Sequence, residues 1–278
     1  VSSATSRTFI KAASKTATNR SIVFSRSFFG AICAWGLVCF TGIPPVEPGF
    51  YLATTAGCAC DVTAILCMSH ALRSSDMAKS IPLLSFTQAF LLVTGQLIVG
   101  ESPALLGIIG VLIIVAGSYF LHLKPAQQSI AEPIKLLFSS KSARFMLLCA
   151  FLFGFTGPFF KRAILRSDPF FAMAASLTIS TLLISVLQLG TGNSIKKLWP
   201  SSANWRSLVG VGVTVFCVAL TINLALQIGL VSYVISLKRL SILINIAIGA
   251  LFFGEKNLWQ NLLAGSTMVA GAVLITLT

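Results

Sequence analysis

Charge is what this sequence has least of. Only 10% of its 278 residues are charged, and just seven are acidic. A soluble domain carries about a quarter. Those seven carboxylates are scattered along the chain, which argues against the paired acid and base that a membrane-embedded hydrolase needs near one interface. There is no Gly-x-x-x-x-Gly-Lys-[Ser/Thr] loop and no segment able to form a nucleotide-binding domain, so a primary pump is excluded, and no cofactor is expected. The seven cysteines form no metal or disulfide framework. The nearest approach, Cys58-x-Cys60, lies in an apolar stretch without a second pair and reads as small packing residues. His70 and His122 are isolated, so no metal site and no catalytic residue is expected.

Apolar length is what the chain has in abundance. Hydrophobic residues make up 56% of it, and several runs reach about 20 residues, enough to cross a hydrocarbon core roughly 30 Å thick. Lipid cannot hydrogen-bond exposed peptide groups, so these runs must be helices. Nine spans can be read: 21–43, 49–72, 80–99, 103–123, 143–164, 169–190, 207–227, 231–253 and 257–278. The fold class is therefore all-α, a polytopic membrane protein in contact with the lipid bilayer, and the cell (inner) membrane is the expected location. The net charge of +13 comes from bases lying between apolar spans rather than on a basic stripe, which removes nucleic acid as a partner. Loop bases such as Lys79, Lys124, Lys135 and Lys196 gather on one side, and only Lys161, Arg162 and Arg166 on the other. The positive-inside rule makes the richer side cytoplasmic and the C-terminal end external.

The polar stretch 124–142 divides the chain into two halves, 1–123 and 143–278. The halves repeat. Gly95, Gly100, Glu101, Ala116 and Gly117 recur 154 residues later as Gly249, Gly254, Glu255, Ala270 and Gly271, and Phe9-Ile10-Lys11 matches Phe159-Phe160-Lys161 at an offset of 150. The segment 5–14 thus reads as the end of a first helix that the chain otherwise lacks, although the Ser-, Thr- and base-rich start also resembles a transit peptide. Five helices per half make the second copy enter the membrane from the opposite side, the inverted repeat of secondary transporters.

This order of motifs resembles the drug/metabolite transporter superfamily, specifically its EamA-type permeases. The resemblance is carried by Phe24-Ser25-Arg26 opening the first complete span, by the two Gly-Glu junctions with Ala-Gly in the span that follows each, and by the run from Tyr233 to Ser241, which is similar to that family's ninth helix. It implies ten helices, a central cavity between the halves, and peripheral fifth and tenth helices. Family members move metabolites such as amino acids, nucleotide sugars, sugar phosphates or cationic compounds. This chain departs from the pattern in lacking most of helix one. The expected activity is transport of a small-molecule substrate by alternating access, with a non-transporting scaffold or lipid-handling protein as the alternative.

Three ionisable groups lie well inside apolar spans: Asp61, Lys238 and Arg239. Each charge at a helix centre costs about 2.5–3.5 kcal/mol on insertion scales, so three together are too expensive to be decoration. Lys238, Ser241 and Asn245 fall at i, i+3 and i+7, a polar stripe on one helix face that Gly249 continues. With Arg239 they form the expected substrate-binding set, and similar Lys-Arg pairs in sugar-phosphate translocators imply an anionic substrate. The alternative is that both bases snorkel toward the interface. Asp61 reads either as a proton-coupling group or as the counter-ion of Lys238 or Arg239. Arg26 and Lys161, near span ends, read as anchors at phosphate level. The glycines of the peripheral spans (Gly107, Gly110, Gly117, Gly265 and Gly271) are expected to permit close helix packing, with a homodimer through those helices as a further expectation.

Overall fold

The computed structural model describes residues 19–71, 81–122, 134, 135, 138, 140–190, 205–241 and 258–277. The segment 5–14, Asn245, Gly249, Gly254 and Glu255 lie outside them. The described residues form nine α-helices: α1 (Asn19–Thr41), α2 (Phe50–Ala71), α3 (Thr87–Val99), α4 (Leu105–His122), α5 (Lys141–Leu165), α6 (Pro169–Gly190), α7 (Trp205–Ile228), α8 (Val231–Arg239) and α9 (Leu258–Thr276). A 3-10 helix, Ile81–Phe86, leads into α3. Pro82 explains this entry, because it lacks the N–H that a helix interior needs but is tolerated in the first turn, where tighter turns are common. Six helical segments are long and apolar enough to cross a bilayer: Phe24–Thr41, Phe50–Met68, Pro82–Val99, Lys141–Leu165, Pro169–Gly190 and Leu208–Ile228.

The helices gather into two compact units that are not the two sequence halves. One comprises Val1–Val62 and Phe159–Ile228, the other Thr63–Pro158 and Gly229–Thr278. Helices α2 and α5 each contribute residues to both.

In the first unit α1 packs on α6 and α7. Lipid is as apolar as leucine, so helices associate there by close packing of small residues rather than by the hydrophobic effect. Gly212 on α7 meets α1 backbone to backbone: a Cβ there would collide with Phe29 and come within 3.1 Å of the Gly30 nitrogen. Trp35 Nε1 donates to Thr178 Oγ1 at 2.9 Å, tying α1 to α6, and its ring stands edge-on to Phe171. Helix α6 starts where Asp168 and Pro169 dictate. Asp168 Oδ1 accepts from the Phe171 N–H, and Pro169 fills the first helical position, which has no use for an N–H donor.

The second unit is built on the pair α4 and α9. A Cβ added to Gly110 would lie 2.6 Å from the Gly271 carbonyl oxygen, and one added to Gly271 would lie 2.6 Å from that of Gly110. One contact further along, a Cβ on Gly117 would come within 3.0 Å of the Ala264 oxygen. This approach buries Val111, Ile114, Val115, Met268, Ala272 and Ile275, with Tyr233, Leu237 and Leu240 resting against them. Gly107 leaves room for the Tyr233 ring, and Gly265 is buried on α9. Helix α5 carries Pro158 in its interior. A proline there leaves the carbonyl four residues back without its helical donor. That carbonyl belongs to Gly154, and Thr94 Oγ1 on α3 lies 2.6 Å from it and supplies the missing hydrogen bond.

Candidate functional site

The helix carrying Lys238 and Arg239 uses its faces for different tasks. Tyr233, Leu237 and Leu240 turn toward the α4–α9 core. Val231 and Ile235 turn toward Gly157 on α5, where an added Cβ would meet Val231 Cγ1 at 2.8 Å. Ser232 and Ser236 are 1% and 0% exposed. Arg239, one turn beyond Ser236, reaches α3 and the 3-10 helix: its Nη2 donates to the Leu84 carbonyl at 2.8 Å. With its amide oriented by its neighbours, Gln88 accepts from Arg239 Nε and donates to the Ser85 carbonyl. Carbonyl and amide dipoles therefore solvate the buried guanidinium. Lys238 is exposed, and Ser241 beside it is half-buried. The adjacent bases, read together from the sequence, are thus split: Arg239 is spent inside its own unit and Lys238 is turned outward. The Arg239 head group lies among Leu84, Ser85 and Gln88, near the start of the apolar segment Pro82–Val99. Asn245, the third member of the stripe, lies outside the described residues.

The start of this helix is held by a residue from the other half of the sequence. Both carboxylate oxygens of Glu101 accept from the Val231 N–H, at 3.0 and 2.9 Å, and Glu101 is only 7% exposed. The repeated glycines around it now have physical reasons. Gly100 closes α3 in the left-handed region (φ 79°), a conformation costly for any residue with a Cβ. Gly95 lies beneath the carboxylate, where a Cβ would sit 3.2 Å from Glu101 Oε2.

In the first unit Asp61 is paired. Arg26 Nη2 donates to Asp61 Oδ2 at 3.3 Å, with side-chain exposures of 33% and 19%. This supplies a partner that the sequence reading did not name: Arg26 is a counter-ion of Asp61. Arg26 is the eighth residue of α1 but the third of the apolar segment Phe24–Thr41, and it reaches a carboxylate midway along α2. Lys161, also read as an anchor, is 7% exposed and so is buried rather than at a wet interface. Arg166, between α5 and α6, accepts through its carbonyl from the Glu47 N–H at 2.9 Å, and its Nη1 donates to the Pro48 carbonyl. Gly49 (φ 88°) makes room for that guanidinium. Cys58 donates its thiol to the Ser176 carbonyl at 3.2 Å, joining α2 to α6.

Sequence reasoning missed Gln88, Ser85 and Glu101 as the polar support of α8. Gln88 carried a signal, being a fully buried amide in an apolar run, but nothing local indicated its partner.

A family model described as the EamA-like transporter family matches residues 1–123 and 141–277. One solved structure, described only as "Crystal structure of protein", superposes with a TM-score of 0.73 over 99% of this chain and 94% of its own, at 14% identity, a likeness that shows the fold alone. No curated protein matches the sequence. With nine described helices, two repeats and apolar spans throughout, the chain is a multi-pass integral membrane protein of transporter type. It belongs to the EamA-like transporter family, as an EamA-type permease of the drug/metabolite transporter superfamily.

Proposed function

We propose that this chain is a secondary carrier of a small, polar, anionic metabolite, working by alternating access. The observation that carries this reading is Lys238. It is an exposed cation on a helix whose other sides are occupied by the α4–α9 core, by Gly157 and by α3. A cation inside an apolar span is too expensive to be decoration, and an anionic substrate that meets it gains a charge-assisted contact. Ser241, three residues on, offers a hydrogen bond to a polar ligand, and the sequence spacing adds Asn245, which lies outside the described residues. Arg239 adds positive field beside them while its donors go to Leu84 and Gln88. In the first unit, Asp61 is the carboxylate able to take up a coupling proton, which would release Arg26.

A thermal-shift screen of the purified full chain tests this reading, with anionic, neutral and cationic metabolites as ligands and Lys238→Ala run alongside. The expected result is stabilisation by one anionic class, lost in Lys238→Ala. A ligand at 100 times its dissociation constant stabilises by about 2.7 kcal/mol, well within detection. Stabilisation that survives the substitution moves the site elsewhere, and no stabilisation by any class favours a scaffold or lipid-handling protein.

A further inference from the structure

The reading above needs Lys238 at a defined height in its helix, and the faces of α8 do not fix that height alone. Apolar contacts resist rotation of a helix, yet sliding by one residue moves a side chain only about 1.5 Å while turning it by roughly 100°. Something must set the register. Leu230, at the N-cap of α8, is extended and has no side chain able to accept from the first-turn N–H groups. Those groups would be orphaned at a buried helix end.

We propose that Glu101 is the positioning residue of this site: its carboxylate sets where the helix carrying Lys238 begins. The inference rests on the reading of Lys238 as a substrate contact. Both Glu101 oxygens converge on the Val231 N–H, and a carboxylate at a helix N-terminus also meets the positive end of the helix dipole. Glu101 is itself rigidly placed. Its own N–H donates to the Gly95 carbonyl at 3.3 Å, and the preceding Gly100 N–H donates to the Gln96 carbonyl at 3.0 Å. Arg239, at the other end of α8, is tied to Leu84. The helix is therefore pinned by polar contacts at both ends, and Lys238 adjoins one of the pins. Gly95, Gly100 and Glu101, one copy of the repeated motif, act together as a brace from the first sequence half onto the substrate helix of the second.

The test compares Glu101→Ala, Glu101→Asp and Glu101→Gln in the purified full chain, with two readouts that need no substrate. Amide hydrogen exchange follows the peptide 229–237, and acetylation by N-hydroxysuccinimidyl acetate, read by mass spectrometry, follows Lys238. In Glu101→Ala, exchange at the start of α8 should rise about tenfold and the rate of Lys238 acetylation should shift several-fold, while protection around Val111, Ile114 and Met268 is unchanged. Glu101→Gln should restore most of both, because its amide oxygen still accepts from Val231. Glu101→Asp, one methylene short, should not. Unchanged exchange and acetylation in Glu101→Ala would overturn the proposal. So would faster exchange spread evenly through α4, α8 and α9, which would mean that Glu101 merely holds the unit together. If Lys238→Ala leaves anion-induced stabilisation intact, the substrate reading fails, while these two readouts still decide what Glu101 positions.

Discussion

Asp61 and Arg26 neutralise each other part-way into their helices, at 19% and 33% exposure. Such a pair gains less than a fully buried one, because water still screens it, but removing one partner strands the other charge in an apolar span. Asp61→Asn and Arg26→Ala should therefore each lower stability, by on the order of 1 kcal/mol. The double variant should cost less than the two single changes together, a coupling that thermal unfolding of the four proteins in one detergent will measure. Strict additivity would show that the pair contributes nothing. That Asp61 is costly was legible in the sequence, since a lone carboxylate in an apolar run demands a partner. Which base pairs with it was not. Arg26 is 35 residues away on a different helix, and its nearness to the start of an apolar run pointed to the interface instead.

At the level of elements, the sequence marks most helices because each must be long, apolar and bounded by Pro, Gly or charge. The reading of 169–190 coincides with α6, and most others differ by one or two residues at their ends; 80–99 opens with the 3-10 helix before α3, and of 231–253 only α8 and the two residues after it lie within the described residues. The junction motif Gly100-Glu101 was legible as a repeated pattern but not as a device, because the N–H it satisfies belongs to Val231, 130 residues on. Pro158 shows the same limit. Its position in a helix is plain from the sequence, whereas the repair of the Gly154 carbonyl by Thr94 depends on how α3 meets α5. The repair makes a specific prediction. Thr94→Val should destabilise the protein by about 1–2 kcal/mol, the cost of an unsatisfied buried acceptor. In a Pro158→Ala background the restored N–H reaches Gly154 itself, and the cost of Thr94→Val should fall close to zero. Equal losses in both backgrounds would show that Thr94 has no part in satisfying that carbonyl.

For the whole molecule, the two repeats read from the sequence and the two compact units are different divisions of the same chain. Helix α1 finds its main partners in α6 and α7, and α4 finds its own in α9, so each of these pairings joins one sequence half to the other. Neither half retains those contacts by itself. Residues 1–130 and 131–278 expressed separately should give protein that aggregates on detergent extraction, whereas co-expression should yield a complex that co-purifies through a tag on either half. A stable, monodisperse first half would show that α1 and α4 do not need their partners. The pairing of Arg26 with Asp61 also has an electrical consequence. A unit charge crossing 100 mV does about 2.3 kcal/mol of work, but a bound pair carries no net charge, so a step that moves Arg26 and Asp61 together is silent to the membrane voltage. On the proposed carrier reading, an anion bound beside Lys238 adds a charge that the pair does not, so the empty and loaded forms would respond differently to the membrane voltage.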